Sequence, residues 1–448
     1  VIQILVNRAL LLNLIGRSQQ GLKGLERGLA LACHLGDLKA QADCLQQLSQ
    51  SQAVLSRYRE MEEYGRKALA IEEALGNKEG MAACLNNIAT SLAYRGRHRE
   101  AMEDLEQALA LLRDIDDPYG LSYTLGNIGF VHGLMGENRL ALERHRQALE
   151  IRQMTGDRKG EATTLDNIGA AMFKLGEKEL ALENFGRSLD IRRQIGDLTG
   201  QATCLNNIGY VQSLRGNYYR TVECYGLALN IRNETGDQTG YALILQNLAI
   251  LKAQFGDYDT AISQTRQALE IRRKLGDLSG QAYSQVALAR MLLETGNIDQ
   301  AQNLLTETEE TVGRMEENEV LFRVAILLAD IALFRHNAKL AEKHLSRAKT
   351  LAGKTGSKQG LVQSALTGAR IDADLGRKED AEKSFRKVIS DYQDMQQPFE
   401  LAKAFYYYSR ALGAWGLANR ADEYTGRAKE IFSRIGARGW LDKIRQDG

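Results

Sequence analysis

The residues with the clearest chemical message are amides at a fixed interval. Asn87, Asn127, Asn167, Asn207 and Asn247 recur every 40 residues, each followed by Ile or Leu and then Gly or Ala. A primary amide carries donors and an acceptor together, so a row of them can hold the main chain of a bound peptide whatever its side chains. The alternative is that each asparagine bonds a neighbouring helix and only shapes the protein. Asn86 and Asn206 stand beside two members of the row. Tyr94, Tyr123, Phe130, Phe173 and Tyr210 fall on the same segments; they would anchor a partner or pack between adjacent helices. Further along, the equivalent positions become charged: Arg290, Glu294, Arg323, Asp330, Arg370, Asp374, Lys403 and Arg410. This surface suits a protein segment, extended or helical, with apolar anchors and with acidic residues towards the part that follows Gly280.

Catalytic chemistry finds less support. Gly353-Lys354-Thr355 looks like the end of a phosphate loop, but Ala348 occupies the position of the required glycine and the preceding segment reads as helix, not strand. The histidines (His34, His98, His132, His145, His336, His344) form neither H-E-x-x-H nor a cluster with cysteine, and no G-x-S-x-G elbow occurs. Cys44, Cys84 and Cys204 share one repeat position, which reads as a small packing site. No enzyme, metal or cofactor is expected. Arg152, Arg192, Arg193, Arg232, Arg272 and Arg273 also recur; the expectation is helix-dipole interaction plus pairing to Asp157, Asp197, Asp237 and Asp277, in preference to nucleic-acid or lipid contact. Glu307, Glu309, Glu310, Glu316, Glu317 and Glu319 read as a solvated helix face and turn.

Composition sets outer limits. With 58 Lys and Arg against 57 Asp and Glu, no net positive field exists to attract phosphate, so nucleic acid is not an expected partner. No apolar run reaches the roughly 18 residues of a membrane span. The five cysteines are scattered with no C-x-x-C pair, which fits a reducing, cytoplasmic setting. The chain opens Val1-Ile2-Gln3 without a start methionine or signal-peptide layout, as a fragment of a longer protein or a processed chain would.

The elements that must position these residues follow from glycine. There are 42 glycines and only 2 prolines, so glycine must mark the turns. One series includes Gly36, Gly76, Gly156, Gly196, Gly236, Gly276, Gly356 and Gly436; a second includes Gly16, Gly96, Gly136, Gly176, Gly216, Gly256, Gly296, Gly376 and Gly416; a third includes Gly80, Gly120, Gly160, Gly200, Gly240, Gly280 and Gly360. All three are expected to stop helices or admit close turns. The register departs at Glu316, Val320, His336, Gln396 and Glu400. In the unit from Asp157 to Gly196, Lys159 to Leu175 carries Leu165, Ile168, Met172 and Leu175 at helical spacing, and Lys178 to Ile195 carries Ala181, Leu182, Phe185, Ser188, Leu189 and Arg192. Each is a helix of about 25 Å, and short connections make neighbours antiparallel. Gly169 and Ala181 mark where the two cross. A single pair cannot bury both faces, so pairs must stack. The expected organisation is all-α: one solenoid over residues 1–448 of about ten to eleven helix pairs, with residues 421–448 as capping helices in which Trp440, Leu441 and Ile444 seal the core.

Leu165-Asp166-Asn167-Ile168-Gly169, then Met172, Gly176, Ala181, Phe185 and Ser188-Leu189, resembles the tetratricopeptide repeat (TPR) signature. The repeat is longer than the usual one, and Ile191-Arg192-Arg193-Gln194-Ile195-Gly196-Asp197 lengthens its second helix. This variant is similar to the long repeats of LGN/Pins-type adaptors and to those of bacterial signalling ATPases, kinases and transcription regulators. The resemblance implies a right-handed superhelix of antiparallel helix pairs whose first helices line a concave groove. On that basis the asparagine row, the aromatics, Asn86, Asn206, Arg290, Arg323 and Arg370 form the partner surface. The implied function is a non-enzymatic interaction scaffold, possible self-association included. The alternative is a ligand-sensing or autoregulatory domain of a larger signalling protein. Thr163 and Thr203 stand where a carboxylate-clamp lysine would be, which disfavours chaperone tails.

Overall fold

The computed structural model describes residues 1–14, 18–55, 57–313 and 317–447; Gly16 and Glu316, two of the register positions, lie outside them. Among the described residues every regular element is an α-helix. In chain order these begin α1 (Ile2–Leu14), α2 (Ser18–Leu35), α3 (Leu38–Val54), α4 (Tyr58–Leu75), α5 (Lys78–Tyr94), α6 (His98–Asp114), α7 (Pro118–Leu134) and α8 (Asn138–Thr155). They continue with α9 (Arg158–Lys174), α10 (Lys178–Gln194), α11 (Leu198–Leu214), α12 (Tyr218–Glu234), α13 (Gln238–Gln254), α14 (Tyr258–Leu275), α15 (Leu278–Glu294) and α16 (Ile298–Gly313). The last are α17 (Asn318–Phe334), α18 (Ala338–Thr355), α19 (Lys358–Asp374), α20 (Lys378–Asp394), α21 (Pro398–Ala414), α22 (Ala418–Ile435) and α23 (Arg438–Asp447). No helix among the described residues is long and apolar enough to cross a membrane.

Local chemistry sets these limits. The carboxylate of Asp157 accepts the backbone N–H of Gly160 at 2.8 Å and caps α9; Asp117, Asp197 and Asp277 do the same for Gly120, Gly200 and Gly280. At the other end, glycines such as Gly156 and Gly276 hold φ near +70°, the left-handed turn that frees the last carbonyls for capping. The register survives without glycine at Asp116, His336 and Gln396, which keep positive φ of 51°, 54° and 49°. The third glycine series corrects the expectation: these glycines stop nothing. Gly80, Gly120, Gly160, Gly200, Gly280 and Gly360 lie inside the first turn of a helix. A Cβ at Gly160 would run into the Asp157 carboxylate and the Arg152 side chain. Glycine is there to make room for the cap and for a buried arginine.

By its contacts the chain divides into two compact units, Val1–Leu205 with Ile231–Gln238, and Asn206–Asn230 with Thr239–Gly448. In the first, each helix packs antiparallel on the next, and the odd-numbered helices also touch one another: α1 with α3, α3 with α5, α5 with α7, and α7 with α9. Even-numbered helices lack comparable contact among themselves. The odd-numbered helices therefore form the tighter, inner layer. Leu165 and Ile168 are buried as the stripe requires, whereas Leu175 is exposed. Gly169 meets not Ala181 but the Phe185 ring, whose nearest carbons would lie 2.8–2.9 Å from an added Cβ. Gly129 meets the His145 ring in the same way. Where the inner helix carries Ala89, Leu105 takes the place of the ring in the same apolar cluster. A small residue inside and a ring outside thus exchange volume at constant packing.

In the second unit the same layering holds: α15 touches α17, α17 touches α19, and α19 touches α21. Its core is richer in rings, with Phe385, Tyr392, Tyr408 and Phe432 fully buried. Trp440 and Ile444 of α23 are buried, and Leu441 packs beside them. Helix α23 also does something the repeat does not foreshadow. Its Gly439 N–H donates to the Phe255 carbonyl at 3.2 Å, and Lys443 pairs with Glu294 at 2.9 Å. Gly439 and Gly256 come so close that a Cβ on either would strike the backbone of the other. The unit closes on itself.

Candidate partner-binding surface

The inner face of the first unit carries the early asparagines, and their partners differ. Asn127 donates to the Asn86 side-chain carbonyl of the preceding inner helix at 2.7 Å. Asn86 in turn donates to the Ala82 carbonyl and to Thr124, and is buried. Asn87 is only 9% exposed. Asn167 is half-buried, and its amide has no hydrogen-bond partner among the described residues. The difference follows from the residue 41 positions earlier: Asn86 for Asn127, but Gly126, which offers no side chain, for Asn167. That offset was readable in the sequence.

The aromatics make a row. Tyr94 stacks on Tyr58 with centroids 4.6 Å apart and an interplanar angle of 10°, and its other side meets Phe130 at 5.3 Å. Tyr94 is still 51% exposed and Tyr123 52%. Burial of part of the ring pushes the Tyr94 phenol above its ordinary pKa. Phe173 is half-buried. Tyr58 was missed from the sequence, although it precedes Tyr94 by the same 36 residues that separate Tyr94 from Phe130. The row is an interhelical stack whose rings stay partly exposed.

Asp166, next to Asn167 in the sequence, is buried and turned inward. It accepts from Arg192 at 2.7 Å and from the Cys204 thiol at 3.2 Å. Arg192 also pairs with Asp197 at 2.5 Å. Arg152 donates to the Gly160 carbonyl at 2.7 Å and to Thr164 at 2.6 Å; Arg232 pairs with Asp237 and donates to Thr203 at 2.7 Å. These guanidiniums stitch the outer helices to their inner neighbours, Arg152 to the inner helix that follows and Arg192 and Arg232 to the one that precedes, so they hold the face in place and are not part of it. Burial, then the Asp166 charge, pushes the Cys204 thiol up to about 12, which removes it as a nucleophile.

On the inner face of the second unit, Asn247 donates to Asn206 at 2.8 Å, repeating the pairing above, while Asn207 has no side-chain partner among the described residues. Tyr210 is 41% exposed; burial raises its pKa, Arg323 opposes the shift and Glu319 adds to it. The Arg323 guanidinium lies 6.0 Å from the Tyr283 ring centroid and pairs with Glu319 at 3.0 Å. Arg370 pairs with Asp330 at 2.5 Å and lies over the Tyr407 ring, 4.1 Å from its centroid. Arg290 is half-buried beside a small cavity that α15, α17, α19 and α21 line.

The family model described as "Tetratricopeptide repeat" matches residues 52–114, 121–194 and 200–274. The model described as "Anaphase-promoting complex subunit 5" matches residues 331–410. Compared by sequence with curated proteins, the chain matches none. Among solved structures it is similar to a Rap protein complexed with Competence and Sporulation Factor, at a TM-score of 0.59 and 13% identity over 80% of this chain and 99% of that one. It is also similar to the apo form of the quorum sensor NprR from B. thuringiensis, at a TM-score of 0.53 and 16% identity over 75% and 97% of the two chains. Aspartyl phosphate phosphatase F from Bacillus subtilis is a third, at a TM-score of 0.51 and 14% identity over 79% and 94%. Identities this low speak to fold, not to activity.

Proposed function

This chain carries repeats of the tetratricopeptide family at residues 52–114, 121–194 and 200–274, and from that premise we propose that it is a non-catalytic interaction module holding a segment of a partner protein against its inner helices. The observation that carries the reading is the unspent, half-buried amide of Asn167 on the inner layer. An amide that shaped the protein would be bonded, as Asn127 is. In the first unit Asn167 and the second lone pair of Asn127 would take a ligand's main chain and Tyr94, Tyr123, Phe130 and Phe173 its apolar side chains; in the second unit Asn207, the second lone pair of Asn247 and Tyr210 offer the same chemistry. A solved Rap protein of similar fold is complexed with Competence and Sporulation Factor, which supports reading this fold as a binding module.

The test needs a probe. A displayed library of random peptides is selected on the immobilised chain, and the affinity of the winning peptide is measured for wild type, Asn167→Ala and Tyr94→Ala. Loss of about 1–2 kcal/mol for each is expected, the size of one main-chain hydrogen bond or one anchor. Unchanged affinity in both variants would overturn the assignment. The second reading, a ligand-sensing part of a larger signalling protein, draws support from the fold shared with a quorum sensor. It is separated from the first by whether the selected peptide changes the activity of a signalling domain fused in the same gene.

A further inference from the structure

The cavity on the inner face of the second unit has an uneven charge account. Its charged lining is Arg290, Glu294, Asp330, Arg370, Glu400 and Lys403. Every carboxylate there is matched: Asp330 by Arg370 at 2.5 Å, Glu400 by Lys403 at 3.1 Å, and Glu294 by Lys443, which reaches in from α23, at 2.9 Å. Arg290 is left over. It makes no ion pair or hydrogen bond among the described residues, and Glu294, one helical turn on, is already engaged. The surplus is felt nearby. Burial alone would raise the pKa of Glu294, yet Lys443, Lys403 and Arg290 together hold it below the ordinary carboxylate range.

A half-buried guanidinium without a counter-ion is costly to keep dry. Its planar fork of donors matches the two oxygens of a carboxylate. The cavity measures about 30 Å³, against roughly 10–15 Å³ for one water, so it has room for two oxygen-sized atoms. The walls are preset for such a group: Arg370 is fixed between Asp330 and the Tyr407 ring, and the Lys403 ammonium lies 5.7 Å over Phe399 and 5.8 Å over Trp440.

We propose that this cavity is a carboxylate-binding pocket in which Arg290 receives the group and the Arg370–Asp330 and Lys443–Glu294 pairs hold the walls. The proposal rests on the reading of the inner helices as the recognition surface, and it assigns the acidic part of the ligand to one residue. The carboxylate has two sources, an acidic side chain or chain end of the bound segment, or a free small acid.

The full chain is titrated at constant ionic strength with acetate, succinate and N-acetylglutamate. Tryptophan fluorescence in a Trp415→Phe background is the readout, since the remaining ring, Trp440, lies against Lys403 and Lys443. Wild type, Arg290→Gln, Arg290→Lys and the exposed control Arg273→Gln are compared, with circular dichroism melts to establish that each folds. Saturable binding is expected in wild type and the control, weaker by about tenfold or more in Arg290→Gln, as loss of a charge-assisted pair implies, and intermediate in Arg290→Lys, which keeps charge but not the fork. The selected peptide is then compared with its copy in which Glu and Asp are replaced by Gln and Asn. A joint loss from this change and from Arg290→Gln assigns the pocket to the bound segment. Sensitivity of the free acids alone assigns it to a small acid. Absence of saturable binding by any carboxylate, or equal binding to wild type and Arg290→Gln, overturns the pocket. That failure is distinct from failure of the recognition reading, which would show as a peptide indifferent to Asn167→Ala and Tyr94→Ala.

Discussion

Replacing Gly169 by alanine separates packing from helix propensity with one methyl group. In an exposed helix the change would stabilise by about 1 kcal/mol, because glycine is the poorer helix former. At this site the added Cβ would lie 2.8, 2.9 and 3.1 Å from three carbons of the Phe185 ring, where unstrained carbons sit about 3.5–4.0 Å apart. The ring is 3% exposed and has little room to retreat. Overpacking of this kind costs about 1–3 kcal/mol, so after the propensity gain the net effect should be a loss of up to about 2 kcal/mol. Phe185→Leu added to Gly169→Ala should restore most of it, because Ala89 with Leu105 and Ala289 with Leu305 are that pairing in its native form. Ala369 with Phe385 marks the limit of the rule, for there the ring stacks on Tyr408. The assay is urea unfolding of wild type, both single variants and the double, followed by amide exchange in α9 and α10, since repeat arrays need not unfold as one unit. A coupling energy near zero, or a Gly169→Ala chain more stable than wild type, would refute the reasoning.

His145 is buried against Gly129, and burial, with the Arg152 charge behind it, lowers its pKa from 6.5 to about 4. The unfolded chain takes up that proton first, so this group's contribution is complete above about pH 6.5 and is lost as pH falls towards 4. On the order of 3 kcal/mol of acid sensitivity should disappear from urea midpoints in His145→Phe. Burial raises the Cys44 thiol to about 11 and the Cys84 and Cys204 thiols to about 12, and Cys224 is buried and raised as well, while Cys33 is exposed. A thiol reagent at pH 8 should therefore label Cys33 rapidly and the other four only on unfolding; fast labelling of two or more would contradict the packing. Gly439→Val should detach α23 from the turn at Gly256 and shift Trp440 emission to the red, and an unshifted spectrum would mean that the two backbones are not held together.

Much of this was written in the sequence because the repeat never slips. The forty-residue interval placed every helix end between Gly136 and Gly196 to within a residue or so, since a left-handed turn needs glycine and a first turn needs an acceptor. Side-chain destinations were harder. Asp166 and Asn167 are adjacent, yet one is spent on Arg192 and Cys204 and the other is free; the deciding residues lie 26 and 41 positions away on other helices. The third glycine series was misread for a related reason: these glycines make room for the N-cap side chain and for a side chain of the preceding outer helix, which is an arginine at Gly160, Gly200 and Gly280, Glu72 at Gly80 and Leu112 at Gly120. Contacts of α23 with Phe255 and Glu294 have no periodic signal at all, because they join segments that share no repeat position.

That last contact has a consequence for how the gene can change. An open array tolerates gain or loss of a whole repeat, because each repeat answers only to its neighbours. In the second unit the count is fixed. Duplicating or deleting one 40-residue block between Asp257 and Pro398 would carry Gly439 away from Gly256 and Lys443 away from Glu294 by the full step of a helix pair. Unequal crossing-over, the ordinary way repeat proteins grow and shrink, should therefore be tolerated between α3 and α9 and selected against from α14 to α20.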